Sequence, residues 1–354
     1  MRALKGIIAV FVAFVFLAGC RPTGGYYEAR GYAQGGEYRV VFNSEGCSLD
    51  PAQVAKGIDS VLVAIDNSLS GYNKGSLLSA FNRGETITPN ELFLECYELS
   101  YHFYDQSEGA LDVAAGPVFD AWGFGFTGDS LPSDETLEAL RTRCGMHRLL
   151  PDIRSAIAPD GTLSPTSLLR EGEDTLALPV LNFNAIAQGY SCDVVAHYLK
   201  GLGVKDMLVD IGEIWCDGLS DKGRPWRVGV DRPVDGNMSP GADIAAIWQS
   251  SGGPQGLVTS GNYRKFYVRD GRKYGHTIDP RTARPAENSL LSATVVAPDA
   301  ATADAVATWC MVLGPEASKE LITTSPDLEA LLIYDTPTGT TTWSSPDFNI
   351  EEAH

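Results

Sequence analysis

The stretch that decides the fold reads LPVLNFNAIAQGYSCDVVAHYLKGLGVKDMLVDIGEIWCDGLSDKGRPWRVGV and runs from Leu178 to Val230. Its pattern predicts a strand over Val180–Phe183, a turn over Asn184–Gly189 and a helix over Tyr190–Leu202. Runs rich in β-branched and apolar residues then predict three more strands, at Met207–Ile211, Ile214–Gly218 and Trp226–Val230. A strand, a helix and then several closely spaced strands favour a mixed α/β (α+β) fold with largely antiparallel sheets and packed helices.

On both sides of this stretch the same kinds of element are predicted. Apolar residues recur at helical spacing over Pro51–Leu69, and further helices are predicted over Asn90–Gln106 and Ser133–Cys144. Additional strands are predicted over Tyr38–Asn43, Ala245–Trp248 and Gly256–Thr259. No GxGxxG follows a predicted strand and no GxxxxGK[ST] loop is present, so the signature of a doubly wound dinucleotide-binding fold is missing.

The first twenty residues are typical of an export and lipidation signal. Arg2 and Lys5 precede a short apolar run over Gly6–Ala18, which is too short to be a lasting membrane span. The small residues before Cys20 form a bacterial lipobox and predict cleavage before that cysteine and attachment of lipid to its thiol. An uncleaved N-terminal anchor is the alternative.

These signals divide the chain into three parts. Residues 1–19 are predicted to be a signal peptide, residues 20–36 a flexible lipidated tether rich in glycine and polar side chains, and residues 37–350 the folded body. The predicted location is the bacterial cell envelope, with the protein lipid-anchored on the extracytoplasmic, periplasmic face. The sequence leaves open whether the inner or the outer membrane holds it.

Composition and charge limit the classes of partner that the protein is expected to bind. Of the 354 residues, 44% are hydrophobic and 20% charged, which is ordinary for a globular protein. A formal net charge of −18 argues against binding nucleic acid through its phosphates and makes a cation more necessary at any phosphate-handling site. Six cysteines besides Cys20 allow disulfides in an exported protein, but none lies in a CxxC pair and buried free thiols are favoured.

Three closely spaced segments between Leu257 and Leu313 carry the chemistry. LVTSGNYRKFY, GHTIDPRTARP and TVVAPDAATADAVATW bring together hydroxyls, a histidine and carboxylates. Asp304 and Thr308 are four residues apart in an alanine-rich helical run, so their side chains leave one helix face a turn apart. Hard oxygen donors in that arrangement suit Mg²⁺, which takes one or two carboxylates together with water and substrate phosphate oxygens.

Seven motifs in order resemble those of the FAD:protein FMN transferases, the ApbE family. Any single motif is weak, but the ordered series is highly specific and covers nearly the whole exported part. The motifs are Leu69–Tyr72, Gly109–Asp112, Asn182–Tyr190 with Asp193, Leu208–Glu213, Thr259–Tyr263, His276–Thr282 and Ala303–Thr308.

The resemblance implies an Mg²⁺-dependent enzyme with a T-fold-like architecture and an FAD cleft between its two halves. Such an enzyme cleaves FAD, releases AMP and attaches FMN through a phosphoester bond to a threonine or serine of an exported acceptor flavoprotein, a redox-pump or electron-transport subunit. The implied metal ligands are Asp304, Thr308 and the backbone carbonyl of Ala185. Two alternatives remain: an FAD pyrophosphatase that yields AMP and FMN, and a noncatalytic FAD-binding lipoprotein.

The same resemblance assigns the remaining site residues. His276 is the best candidate to accept a proton from the acceptor hydroxyl, and Asp279 could share or replace that role. The alternative for His276 is a structural histidine that anchors the Thr277–Arg284 turn. Three of the residues that the resemblance implies as FAD contacts also have a structural alternative. Tyr72 could pack under a loop, Ser76 could cap the next helix, and Gly261 could be a plain hairpin glycine. The implied FAD contacts are Tyr72, Ser76, Ala110, Leu111, Asp112, Asn182, Gln188, Gly261, His276 and Ile278.

Three positions depart from the family pattern. Gln188 stands where most members have lysine, which removes a positive charge near the pyrophosphate. The usual Gly-Gly-acid segment is shortened to Gly212-Glu213, so that loop must be rebuilt. Ala283 replaces the usual glycine of the PRTGRP turn, and this turn is therefore expected to avoid a positive φ.

Overall fold

The computed structural model describes residues 25–124, 132–234, 236–237, 239, 241–263, 266–269 and 272–352. The predicted signal peptide, Cys20 and the first residues of the predicted tether lie outside the described residues. Among the residues that are described, no helix combines the length and apolar character that crossing a bilayer requires.

The described elements come in blocks along the chain: two strands, a run of helices, ten strands, two helices and three final strands. The strands are β1 (Tyr26–Ala33), β2 (Gly36–Asn43), β3 (Met207–Asp210), β4 (Ile214–Asp217), β5 (Arg227–Asp231), β6 (Ile244–Gln249), β7 (Gln255–Gly261), β8 (Phe266–Arg269), β9 (Arg272–Gly275), β10 (Ile278–Asp279), β11 (Arg284–Pro285), β12 (Leu290–Ala297), β13 (Glu329–Thr336), β14 (Gly339–Ser344) and β15 (Ile350–Glu352). The α-helices are α1 (Pro51–Leu69), α2 (Leu77–Asn82), α3 (Glu91–Gln106), α4 (Gly116–Ala121), α5 (Asp134–Arg143), α6 (Ala187–Gly201), α7 (Ala300–Leu313) and α8 (Pro315–Thr324), with 3₁₀ turns at Met146–Arg148 and Ile153–Ala156.

One eight-stranded sheet organises the molecule. Its strand order is β1-β2-β3-β4-β7-β12-β13-β14, and every neighbouring pair is antiparallel. Strands β15, β6 and β5 form a second antiparallel sheet in that order, and β8–β9 and β10–β11 are two-stranded hairpins. The predicted mixed fold with antiparallel sheets is confirmed.

Both faces of the large sheet are covered. Val40 and Phe42 of β2 point into the main core with α1, α6 and α7, whereas Val41 points to a second cluster with the three-stranded sheet. Val295 and Val296 of β12 divide in the same way, because successive side chains of a strand point to opposite faces. The central strands are therefore continuously apolar.

Helix α1 begins and ends where its sequence pattern predicts. Asp50 caps it by accepting hydrogen bonds from the Ala52 and Gln53 amides, and the Gln53 side chain bonds back to the Asp50 amide. One helix face is buried in the core at Val54, Ile58, Leu62, Ile65 and Leu69. The helix runs along one side of the cavity described below.

Two sequence-based expectations are corrected here. Residues 180–183 form no strand, because the Asn82 side chain hydrogen-bonds both polar backbone groups of Leu181. Asn82 Nδ2 donates to the Leu181 carbonyl and the Leu181 amide donates to Asn82 Oδ1, each at 2.8 Å. The tether prediction is wrong for residues 26–36: Tyr26–Ala33 is edge strand β1, paired with β2 along eight positions from Tyr26–Asn43 to Ala33–Gly36.

The cysteines of the described chain are free thiols, as the sequence favoured. Cys96, Cys192, Cys216 and Cys310 are buried, and Cys47 and Cys144 are half-buried. Burial raises the pKa of the Cys144 and Cys310 thiols to about 12, so these groups stay protonated at neutral pH.

Candidate active site

A cavity of about 1180 Å³ opens between α1, the β1–β2 hairpin, β7 and α7. Sites for drug-sized ligands usually measure ~300–1,000 Å³, so this cavity has room for a dinucleotide. Its wall combines apolar side chains with hydroxyls, carboxylates and a histidine. That mixture suits a ligand with aromatic rings and a charged linker.

Helix α7 carries the two candidate metal side chains into this cavity. Asp304 is only 4% exposed, and Thr308 lies one turn later with its Oγ1 3.3 Å from Ser260 Oγ. Ala185 lines the same cavity from the segment that precedes α6. The three residues that the resemblance assigned to Mg²⁺ therefore line the same cavity.

The donor set fits a hard divalent cation. Burial raises the pKa of Asp304 to about 7, because its carboxylate has lost most of its contact with water. A carboxylate, a hydroxyl and a carbonyl are the oxygen ligands that Mg²⁺ takes, and a cation would offset the cost of burying the charge. Asp304, Thr308 and the Ala185 carbonyl would hold it.

Helices α6 and α7 brace each other at their N-terminal ends. No side chain of α6 caps its own start, but the Gly189 amide in its first turn donates to Asp304 Oδ2 at 3.0 Å. In return, the Asp193 carboxylate of α6 accepts from the Ala300 and Ala301 amides of α7, at 2.8 and 2.9 Å. Each carboxylate caps the other helix, which fixes Asp304 relative to the turn that carries Ala185.

His276 is the histidine that lines the cavity, and it lies just before β10. Its ring meets that of Phe124 edge to face, with centroids 6.4 Å apart. The next residue anchors the turn, since the Thr277 hydroxyl donates to Asn262 Oδ1 at 2.8 Å. An imidazole held here can accept a proton from a hydroxyl that enters the cavity.

Asp279 is not positioned to share that role. It is absent from the cavity wall, and both of its carboxylate oxygens accept hydrogen bonds from the Arg281 guanidinium, at 2.9 and 3.0 Å. Its Oδ1 also accepts from the Arg281 amide, which shapes the β10–β11 turn. The geometry gives Asp279 a turn-forming role.

Nine of the ten implied FAD contacts line the cavity, and Ser76 does not. Ser76 is fully buried and caps α2, since its Oγ accepts from the Ser79 amide at 2.9 Å and donates to the Ser70 carbonyl at 2.6 Å. The capping alternative is therefore the one that the structure supports. Tyr72 is 67% exposed at the cavity mouth, so it does not pack under a loop. The nine that line the wall are Tyr72, Ala110, Leu111, Asp112, Asn182, Gln188, Gly261, His276 and Ile278.

Comparison with known proteins agrees with this site. The family model described as "ApbE family" matches residues 34–332. The "FAD:protein FMN transferase" of Escherichia coli K12 is 31% identical over 303 residues, covering 84% of this chain and 81% of the relative. The Vibrio cholerae protein of the same name is 30% identical over 353 residues, or 98% of each chain. The solved structure "Flavin Transferase ApbE from Vibrio cholerae" superposes with a TM-score of 0.74 at 30% identity, covering 92% of this chain and 98% of that one.

The chain belongs to the ApbE family. The resemblance read from its ordered motifs is confirmed, and so is the fold class that it implied.

One departure from the ApbE pattern lies inside the cavity. The Gln188 side chain lines the wall, and its Nε2 donates to the Ile211 carbonyl at a long 3.4 Å. Gly212 beside it has φ of +94°, a conformation that suits glycine. Gln188 can offer hydrogen bonds to a ligand but no positive charge.

The departure at Ala283 does not behave as the sequence suggested. Ala283 has φ of +55°, so the expectation that alanine would make this turn avoid a positive φ is wrong. The strained residue is fully buried, and its carbonyl accepts a 2.8 Å hydrogen bond from the Trp122 indole. Tertiary contacts of this kind hold a non-glycine residue in the left-handed region at a cost of about 1–2 kcal/mol.

Sequence reasoning missed two parts of the cavity wall. The tip of the β1–β2 hairpin, Tyr32–Gly35, lines it, although this segment was assigned to the tether. The α1 residues Asp59, Val63 and Asp66 also line it. The sequence signal that could have found these α1 residues is an apolar residue, Val63, that shares a helix face with Asp59 and Asp66 away from the core.

The raised pKa of Asp112 predicts how the free energy of unfolding depends on pH. Burial raises its pKa from 3.8 to about 7, against the opposing effect of amide hydrogen bonds from Met146 and Ala114. Between about pH 4 and pH 7 the unfolded carboxyl has lost its proton while the folded one keeps it, so rising pH favours unfolding. This one group contributes a slope of at most about 1.4 kcal/mol per pH unit.

The Asp112→Asn variant keeps an oxygen acceptor for both amides and does not titrate. Urea unfolding without Mg²⁺ or FAD is expected to show a smaller loss of stability with rising pH in the variant than in the wild type. Equal slopes in the two proteins would show that Asp112 carries no raised pKa.

Proposed function

We propose that this protein is an Mg²⁺-dependent FAD:protein FMN transferase that attaches FMN through a phosphoester bond to a threonine or serine of an exported acceptor protein and releases AMP. The observation that carries the proposal is the meeting of Asp304, Thr308, Ala185 and His276 in one cavity of dinucleotide size. The fold and the ordered motifs of the ApbE family support it.

The residues of the cavity have separate roles in the proposed transfer. His276 accepts the proton of the acceptor hydroxyl, whose oxygen attacks the phosphorus of the FMN half. A bond forms between that oxygen and the phosphorus, and the bond from the phosphorus to the bridging oxygen breaks, so AMP leaves with the bonding electrons. When Mg²⁺ is bound, it neutralises the phosphate charge that develops.

A hydrolytic variant is the second candidate, and Gln188 favours it. Gln188 lacks the charge that lysine would place near the pyrophosphate, so the leaving group is held less firmly. Water could then compete with the acceptor hydroxyl for the same phosphorus.

One assay separates the candidates. The purified protein is incubated with FAD and Mg²⁺, with and without an acceptor domain that carries a flavinylation threonine, and run on a denaturing gel. Flavin fluorescence that remains on the acceptor after denaturation supports transfer. Release of AMP and FMN without a fluorescent acceptor supports hydrolysis, and bound but unchanged FAD supports a noncatalytic carrier.

We also propose that lipid on Cys20 holds the enzyme at the extracytoplasmic face of the bacterial envelope. The lipobox before Cys20 supports this location, and an acceptor in an exported redox pump or electron-transport chain would lie in the same compartment. Strand β1 begins only six residues after Cys20, so any tether is short and the folded body would lie close to the membrane.

Replacement of Cys20 tests the anchor. Cells given radiolabelled fatty acid are expected to label the wild type and a Cys47→Ala control equally, whereas Cys20→Ala should lose the label completely and keep its signal peptide. An unlabelled wild type with an intact N-terminus would favour the uncleaved anchor.

A further inference from the structure

A small apolar cluster at the side of the cavity is separate from the main core. It joins α4 and α5 to the β10–β11 hairpin. Phe119 and Phe124 pack against it and also line the cavity, as its member Ile278 does. The cluster therefore extends from the cavity wall to α5. Its buried members are Ala115, Val118, Trp122, Leu137, Ile278 and Ala283.

The Trp122 indole makes a polar link inside this cluster. Its Nε1 donates to the Ala283 carbonyl at 2.8 Å, and the Trp122 side chain is only 7% exposed. Ala283 is fully buried at φ of +55° in the turn that joins β10 to β11. Because a non-glycine residue stays in this conformation only when its surroundings hold it there, the indole helps to fix the shape of the turn.

The hairpin carries this restraint back towards His276. Ile278 of β10 pairs with Pro285 of β11. The Ala286 amide then donates to the Thr277 carbonyl at 2.9 Å. Thr277 directly follows His276, so these contacts fix the direction in which the chain leaves the histidine.

A second contact reaches the imidazole itself. Phe124 lies two residues after Trp122, and its amide donates to the Phe119 carbonyl at 2.9 Å, which holds it against the end of α4. The Phe124 ring meets the His276 ring edge to face, with centroids 6.4 Å apart. One short segment thus contacts the backbone of the hairpin at Ala283 and the side chain of His276.

We propose that Trp122 is a positioning residue that holds His276 in place for proton transfer, through the β10–β11 hairpin and through Phe124. This inference rests on the proposed function, which gives His276 its proton-accepting role. Trp122 is absent from the cavity wall, so it acts on His276 and not on the ligand. A general base must lie within hydrogen-bond reach of its proton, and a small displacement of the imidazole therefore slows transfer.

The Trp122→Phe variant removes the indole donor and keeps an aromatic ring. At saturating FAD and acceptor, its kcat is expected to fall about tenfold while the KM for FAD changes by less than about twofold, because a misplaced catalytic group costs rate more than binding. Rates are normalised to the folded fraction, which is measured by urea unfolding.

Trp226 provides a matched control. Its indole also donates to a backbone carbonyl, that of Asp217 at 2.9 Å, and its side chain is also 7% exposed. It lies in the second cluster beside the three-stranded sheet and is absent from the cavity wall. Trp226→Phe should therefore lower the free energy of unfolding as Trp122→Phe does, but keep the wild-type kcat.

Removal of the histidine tests whether Trp122 acts through it. Added to His276→Gln, the Trp122→Phe substitution should lower the residual rate by less than about twofold, because two substitutions that remove one contribution are not additive. Phe124→Leu is the second variant if Trp122→Phe does not fold, since Phe124 is only half-buried. It should lower kcat when His276 is present and leave the residual rate of His276→Gln unchanged.

Three results would overturn the inference. A wild-type kcat per folded molecule in Trp122→Phe, or equal losses in Trp122→Phe and Trp226→Phe, would leave the indole a structural role alone. A loss that persists undiminished in the His276→Gln background would show that Trp122 does not act through the histidine. Transfer by His276→Gln at the wild-type rate would overturn the proton-accepting role in the proposed function and the inference with it, so the failures can be told apart.

Discussion

Alanine in place of Asp304 is expected to slow FMN transfer by at least about 100-fold, the scale seen when one preorganised electrostatic group is removed from a phosphate or oxyanion site. Asp304 is the only side-chain carboxylate in the candidate metal set, and it is 4% exposed on the cavity wall. Without it, Thr308 and the Ala185 carbonyl would offer a cation no negative charge. The apparent Mg²⁺ affinity should fall together with the rate.

An asparagine variant separates charge from shape. Asp304→Asn keeps an oxygen that can accept from the Gly189 amide, so the fold should persist while Mg²⁺ affinity still falls. Titration of Mg²⁺ into each variant, followed by the transfer rate and by thermal stabilisation, gives both readings. Transfer by Asp304→Ala at the wild-type rate and Mg²⁺ concentration would contradict the metal assignment.

Alanine at Gly189 is expected to destabilise the fold by about 3 kcal/mol and to abolish transfer. A Cβ on Gly189 would lie 2.2 Å from the Ala300 carbonyl oxygen and 2.8 Å from Asp304 Cβ. The obstacle is backbone, so α6 and α7 would have to separate. That movement would break the hydrogen bond from Gly189 to Asp304 and the cap that Asp193 provides.

Gly201 is the matched control in the same helix. A Cβ there meets nothing within 4 Å, so Gly201→Ala should be neutral or stabilise by up to about 1 kcal/mol. Urea unfolding of the two variants gives the difference directly. Equal stabilities would show that the close packing of α6 on α7 does not limit the fold.

Local sequence patterns predicted the elements that depend on local physics. Helix α1 has the predicted bounds because an N-cap aspartate, a proline in the first turn and an apolar stripe all coincide. The Asp304–Thr308 spacing correctly placed two side chains on one face of α7 for the same reason. The family motifs then supplied Ala185, which no local pattern connects to α7.

Tertiary contacts decided the features that local sequence patterns did not predict. Strand β1 was predicted to be part of a tether because its segment is rich in glycine and polar side chains, and the hydrogen bond from the Gln34 side chain to the Ser191 hydroxyl joins residues far apart in the chain. Ala283 is held at positive φ by burial and by the Trp122 indole. The Leu181 backbone, predicted to be in a strand, is satisfied instead by the distant Asn82 amide.

The most direct test of the flavin transferase account is the stoichiometry of the reaction. Wild-type protein, FAD, Mg²⁺ and an acceptor domain are incubated, and the denatured acceptor is analysed by mass spectrometry while AMP is quantified. The account predicts one FMN added through a threonine or serine phosphoester for each AMP released, with both products formed at least about 100-fold more slowly by Asp304→Ala. AMP release with an acceptor of unchanged mass, or FAD left intact by the wild type, would contradict it.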